Sequence, residues 1–499
     1  MGEPRSRSAL GERARRALAL ALVLLTSLVG CAMNPVSGMP QVVLMSEAQE
    51  IQMGKDAAPE IAATMGLYQD DELQRYIETV GKRMAALSER PQLPWQFHVI
   101  DDSAVNAFAV PGGFIYVTRG ILANMGSEAE LASVVGHEIG HVTARHSVSQ
   151  ITRQEFANIG LGLGMIGLAV MGGGQMGSLL GQAVGSGVQV LFLKYSRDDE
   201  TQADDLGLRY MSSAGYAPDQ MPRVFHTLAR QSEETPENAR VPEWQSTHPA
   251  PENREQRIAS EIQSLPPAQR EGRVDTAPFL AKVNGIVYGP DPRAGYFDDA
   301  NVFHHPGMAF RMKFPKGWKT QNLPTAVVGV SDEQDAAIQL VMAKEKNLDS
   351  AASAFFSNRA IQHGSLDQRA LNGLSAVSAN FSAATQQGTL RGRTAFVELG
   401  DDVFQLIGFA PQESYLRQEK TLENALASFS RETDPRALNV KPWRVEIVTP
   451  VKSMTIEEFA QAFPGPVEAK ALAIMNQVPD GGRYEAGKPV KRVVGQKLP

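Results

Sequence analysis

The sequence predicts an α+β protein: a mainly helical first unit around a small β-sheet, followed by two smaller α+β units. Three observations carry this. Apolar residues recur at helical spacing through residues 46–91, most clearly at Leu73, Tyr76, Ile77, Val80, Met84 and Leu87. Residues 95–118 switch to strand-like runs interrupted by Pro111-Gly112-Gly113. After about Asp298 the composition changes and strand-like runs begin again. At ~100–200 residues per domain, 499 residues suggest about two to four domains. A hydrophobic share of 43% and a charged share of 21% are ordinary globular usage, so most of the chain should fold. The net charge of -7 argues against nucleic acid, whose partners carry a basic footprint.

The first thirty residues read as an export signal. Arg5, Arg7, Arg13, Arg15 and Arg16 precede an apolar run from Ala17 to Leu25, continued to Val29. The run is shorter than the ~20 residues a spanning helix needs. It ends in Leu28-Val29-Gly30-Cys31, and Cys31 is the single cysteine of the chain. This looks like the lipobox of bacterial lipoproteins. That resemblance implies a lipid on Cys31 and a mature protein starting there. Ala32 follows rather than Asp, which favours the outer membrane as the site of anchoring in the periplasm.

Residues 46–91 are expected as helices, Trp95 to Ile100 as a strand, and Asn106 to Thr118 as a hairpin. A helix should then run from about Glu128 to Ser147. The Gly-rich, apolar stretch 156–193 fits a closely packed helical hairpin, a mobile cover or a membrane-dipping segment. Residues 231–275, polar and rich in Pro and Glu, read as an irregular surface wrap. In the second unit Ile338 to Met342, Thr394 to Val397 and Val403 to Phe409 look like strands, with Leu422 to Phe429 as a closing helix. The third reads strand, helix, helix, strand: Val445 to Val448, Thr455 to Phe463, Val467 to Asn476, Val490 to Val494. It loosely resembles a LysM module, which implies peptidoglycan as a partner. Expected boundaries are 1–30 for the signal, 31–285, 300–435 and 443–499.

The chemistry lies in Gly136-His137-Glu138-Ile139-Gly140-His141. His137 and His141 are four apart, on one face of a helix, so both imidazoles can reach one metal ion. Glu138 beside them suits a general base that takes a proton from the attacking water and passes it to the leaving amine. One zinc ion per chain is the expected cofactor. A metzincin would place Gly and His at positions 144 and 147. Here these are Ala144 and Ser147, so that subclass fails. His146 should lie off the ligand face, at about 100° per residue, as a capping or surface histidine. Ser196-Arg197-Asp198-Asp199 resembles a capping box that opens another helix. Glu200 in its first turn is the candidate third ligand, as in gluzincin sites. Asp204, one turn on, is the candidate hydrogen-bond partner of a ligand histidine. The competing reading of this acidic pair is a solvated helix face.

Taken together, Gly136 to His141, Tyr195-Ser196-Arg197-Asp198-Asp199-Glu200-Thr201-Gln202-Ala203-Asp204 and Thr247-His248-Pro249 resemble a family of zinc metallopeptidases. It includes CaaX prenyl proteases, HtpX and periplasmic β-barrel assembly-enhancing proteases. The resemblance covers roughly residues 40–265 and implies a zincin-like (gluzincin) protease domain. Gln202 stands where the family usually has an acidic residue. The family implies an active-site position for His248, as a fourth, inhibitory ligand or as an oxyanion donor. Arg257 follows in the family's pattern, orienting the site or pairing with a carboxylate. Asn106, Ala107, Phe108 and Ala109 match the family's edge strand, which would bind substrate by strand addition. The function so implied is a zinc endopeptidase for misfolded or misassembled envelope proteins. The alternative is a lipid-anchored envelope scaffold or chaperone with a self-inhibited protease domain.

Overall fold

The computed structural model describes residues 31–161, 195–233, 248, 253–385 and 388–498. The export signal and most of the Gly-rich stretch 156–193 lie outside the described residues, as do Thr247 and Pro249.

The described residues begin with a short antiparallel pair, Cys31–Met33 with Pro40–Val42. Helix Glu47–Met65 follows, opened by a capping box between Ser46 and Gln49 that satisfies backbone donors at its start. Helix Asp71–Ala85 is capped by Asp70, whose side chain accepts from Glu72 and Leu73 N–H. Leu73, Ile77, Val80 and Met84 form its buried stripe. Leu87 lies past the helix end and is 46% exposed, so the expected stripe is one residue too long.

The first sheet has three strands in the order Gln96–Ile100, Phe114–Thr118, Ala107–Val110. The first two run parallel and the last two antiparallel. Gly112 and Gly113 turn the hairpin with φ of 86° and 97°, a region open to glycine. Gly112 is doubly constrained: a Cβ there would stand 2.7 Å from the Ile51 Cα.

Helix Glu128–Thr143, hereafter the motif helix, is buried at every residue. It crosses a core that includes Leu73, Val117, Leu131, Val135, Leu206 and Phe279. The expected continuation to Ser147 does not occur. Arg145 adopts φ 60°, and a new helix, His146–Leu161, starts in another direction. The expected irregular wrap is also corrected in part. Residues Arg254–Ser264 are helical, with Arg254, Ile258 and Ile262 buried at four-residue intervals.

The second unit contains an eight-stranded sheet, all of whose pairs are antiparallel, and a four-stranded antiparallel sheet in the order Ser430–Arg431, Phe310–Lys313, Val302–His305, Tyr296–Phe297. Its closing helix is Gln412–Ala427, longer and earlier than the expected Leu422 to Phe429, because its first turns carry few apolar residues. The third unit pairs Trp443–Val448 with Val490–Val494, and also with Val287–Tyr288, just past the first unit's expected end at 285. Its buried Lys491 donates to the backbone oxygens of Ala123 and Met125 at 2.9 and 2.8 Å. Gln477 donates to Glu130, in the first turn of the motif helix, at 2.6 Å. The third unit is thus built onto the first. Among the described residues no helix is long and apolar enough to cross a membrane.

Candidate metal centre

The site sits where the motif helix meets helix Arg197–Ser213, hereafter the acidic helix. Ser196 and Asp199 make the reciprocal cap that starts it. The two helices approach through small residues. A Cβ on Gly136 would lie 3.1 Å from Gly207 Cα, one on Gly140 3.1 Å from Ala203 Cα, and one on Gly207 2.8 Å from His137 N. This closeness lets the short side chains of the acidic helix reach the two histidines. Gly207→Ala is therefore expected to force the helices apart. It should cost about 1–3 kcal/mol, as overpacking does, and weaken metal retention. Melting temperature and zinc content of the purified variant check this; unchanged values in both would show that the approach has slack.

Four side chains converge. His137, His141, Glu200 and His248 each offer a ligand atom, all within 4.8 Å of one another. The Nε2 atoms of His137 and His141 are 3.0 Å apart. Glu200 Oε2 lies 3.5 Å from His137 Nε2, and Oε1 lies 3.4 Å from His141 Nε2. All four are at most 1% exposed. Neither carboxylate oxygen of Glu200 has a hydrogen-bond partner. A buried carboxylate left without a donor is costly. Burial pushes the Glu200 carboxyl well above its ordinary value and the His141 imidazole well below its own. A divalent cation reverses both preferences, and the three-His, one-Glu donor set suits zinc.

Glu138 stands beside this cluster, fully buried, with Oε1 3.5 Å from His248 Nε2. Burial pushes its carboxyl up to about 8, against the opposing Arg254 charge and the Ala109 N–H.

Behind His137, Asp204 Oδ1 lies 2.9 Å from Nδ1. Burial raises the Asp204 carboxyl, but the Arg254 charge and hydrogen bonds from His137 and Arg254 outweigh it and hold it well below the ordinary value. Arg254 donates to both Asp204 oxygens at 2.5 and 2.9 Å, and its guanidinium lies 3.8 Å from the Phe225 ring centroid. Arg257 donates to Asp204 Oδ2 at 2.9 Å and also pairs with Asp205, so it binds carboxylates one step removed from the ligands.

Sequence reasoning missed Arg254. Its only signal was its place one helical turn before Arg257. It also misplaced His146, expected as a capping or surface residue. That side chain is 3% exposed, and its Nδ1 lies 2.9 Å from His141 Nδ1. The break at Arg145 turns it back toward the site. Tyr195, quoted in the motif without a role, stacks on His141 with ring centroids 3.9 Å apart.

Ala107–Val110 lies at the edge of its sheet, and among the described residues no strand pairs with its outer side. All four residues are nevertheless buried. Asn106 is buried too, and its side-chain oxygen has no hydrogen-bond partner. These are the residues expected to receive a substrate strand.

Comparison with known proteins fits this geometry. Residues 71–262 match the model of peptidase family M48. The chain is 31% identical over 212 residues to the beta-barrel assembly-enhancing protease of Yersinia pestis, covering 42% of this chain and 43% of that one. It is 29% identical over 212 residues to the protein of that name in Escherichia coli (strain K12), with the same coverage of each chain. It is 33% identical over 225 residues to the mitochondrial metalloendopeptidase OMA1 of Schizosaccharomyces pombe, covering 44% of this chain and 62% of that one. The chain thus spans under half the length of the two bacterial relatives.

Proposed function

We propose that this chain, whose residues 71–262 match the model of peptidase family M48, is a zinc-dependent endopeptidase that removes misfolded or misassembled proteins of the bacterial envelope. The observation that carries the reading is the buried convergence of His137, His141, Glu200 and His248 with Glu138 alongside. His137, His141 and Glu200 hold the ion, in a gluzincin arrangement, and Asp204 orients His137. A zinc ion held there supplies Lewis acidity toward the scissile carbonyl and acidifies the attacking water. Glu138 takes that water's proton and delivers it to the leaving amine. A substrate segment adds to the edge strand at Asn106, Ala107, Phe108 and Ala109 through main-chain hydrogen bonds, which give affinity with little sequence selectivity.

Envelope proteins as substrates are supported by the name of the bacterial relatives, beta-barrel assembly-enhancing protease. The same reading puts a lipid on Cys31 and the protein on the periplasmic side of the outer membrane. Two helices between the paired outer strands Trp443–Val448 and Val490–Val494, with the short pair Met454–Thr455 and Arg483–Tyr484 inside them, support the LysM resemblance and, with it, contact with peptidoglycan.

The second reading, a scaffold whose protease domain is silent, is favoured by one feature. Catalytic zinc sites keep a position open, whereas structural sites are closed by four protein donors. His248 makes this set four, and the edge strand is covered as well. His248→Ala separates the possibilities, with zinc content and the rate of cleavage of a denatured protein as readouts. If His248 holds the site shut, the rate should rise at least about tenfold with one zinc retained. If it instead donates to the oxyanion, the rate should fall about 10²–10³-fold. Zinc without cleavage in either form would favour the scaffold.

A further inference from the structure

The two ligand histidines are backed by different chemistry. His137 is held by a carboxylate, Asp204, itself gripped by two arginines. His141 meets another imidazole. Its Nδ1 lies 2.9 Å from His146 Nδ1, and His146 Nε2 lies 2.9 Å from Gln202 Oε1. Among the described residues the nearest carboxylate oxygen to His146 is Asp199 Oδ1, at 3.7 Å, beyond hydrogen-bond reach.

A proton count along this chain has one solution if His141 binds a metal. His141 Nε2 faces Glu200 and His137 Nε2, so it must present a lone pair there. Its proton is then on Nδ1. Two ring nitrogens at hydrogen-bond distance need one donor and one acceptor, so His146 Nδ1 must be bare. The His146 proton is therefore on Nε2, and the group facing it must accept, which the amide oxygen of Gln202 does.

We propose that Gln202 and His146 form a neutral relay that locks His141 in its metal-binding tautomer, making both of them positioning residues of the metal centre; this rests on the zinc-peptidase reading. Gln202 lies on the acidic helix, two residues after Glu200, so a single helix supplies both a ligand and the end of the relay. The relay exists because the backbone breaks. In a continuous helix His146, five residues after His141, would point about 140° away from it. The left-handed Arg145 reverses that and starts the helix His146–Leu161 facing the site.

The test uses the full chain with Glu138→Gln throughout, which keeps self-cleavage out of the measurement. The first readout is the rate at which bound zinc passes to a chromogenic chelator. His146→Leu should release zinc about 10–100-fold faster, the usual cost of losing a group behind a ligand. Gln202→Leu should act in the same direction, because His146 is then free to put its proton on Nδ1. The double variant should release no faster than His146→Leu alone, since the two act in series. Gln202→Glu, which still accepts from Nε2–H, should keep release slow.

The second readout needs no change in the relay: the nitrogen-15 spectrum of labelled histidines should show His146 with its proton on Nε2 and His141 with its proton on Nδ1. A proton on His146 Nδ1 overturns the relay. So does equal zinc release across the set, or a double variant that simply multiplies the single effects. If His146→Leu does not fold, Gln202→Leu and the spectrum decide. A chain that takes up no zinc before any relay residue is changed overturns the metallopeptidase reading itself, whereas zinc uptake with unaltered release overturns the relay alone.

Discussion

Glu138→Gln should abolish cleavage of a denatured protein while leaving zinc content unchanged. Glu138 is fully buried and is not among the four residues whose ligand atoms converge. Gln preserves its shape, so the ligand cluster keeps its geometry, but an amide cannot take a proton from the attacking water. Positioned general bases contribute about 10²–10⁴-fold, and a loss of that size is expected in kcat. Glu200→Gln makes the contrast. It replaces a charged carboxylate ligand with a neutral, weakly binding amide, so metal and activity should fall together. The pair of measurements assigns roles that distances alone do not separate, since both carboxylates are buried in one cluster. If Glu138→Gln retains activity within a few-fold, the general base is another group. If it loses zinc, Glu138 belongs with the ligands. In cells, the proteins that accumulate when Glu138 is replaced would name the substrates.

How much of this was legible in the sequence follows from which features are one-dimensional. His137 and His141 share a helix face by spacing alone. Glu200 and Asp204 share a face one turn apart, and the Ser196 cap that fixes their helix is local too. The structure brings all of these together. The hairpin between Ala107 and Thr118 was legible because its turn needs glycine at positive φ. What escaped was set by tertiary context. His146 was assigned by extrapolating one helix through Ala144 and Arg145, and neither residue signals a break. Arg254 lies in a stretch whose polar composition suggested irregular chain. Its burial depends on Asp204 and Phe225, both distant in sequence. Leu87 fits the helical period but lies past the last turn. The docking of residues 443–498 onto the first unit uses Lys491, which binds the Ala123 and Met125 carbonyls, and Gln477, which binds Glu130 of the motif helix, groups that carry no pattern in sequence.

Glu50→Ala should produce the largest loss of stability, because one carboxylate holds the break on which the candidate site depends. Glu50 is 1% exposed and accepts from three directions. Arg90 grips both of its oxygens at 2.9 Å, Arg145 Nε donates to Oε2 at 3.1 Å, and Gly112 N–H approaches Oε1 at 3.4 Å. Arg90 also donates to the Val142 carbonyl at the end of the motif helix, and Arg145 to the Met45 carbonyl. The left-handed Arg145, strained for a residue with a side chain, is therefore pinned by its own guanidinium. Removing Glu50 leaves Arg90, 2% exposed, with the half-exposed Glu47 as its remaining carboxylate partner among the described residues. Stranding a buried charge costs about 3–5 kcal/mol. At about 2–4 °C per kcal/mol for a domain of this size, the melting temperature should fall by roughly 6–20 °C. Glu50→Gln, which still accepts hydrogen bonds, should lose less. A melting temperature within about 2 °C of the parent would mean that the two arginines find water or other partners. The decisive comparison is at low temperature, where Glu50→Ala is still folded. If Arg145 relaxes there, His146 swings off His141, and zinc should leave faster even though no residue touching the ion has changed.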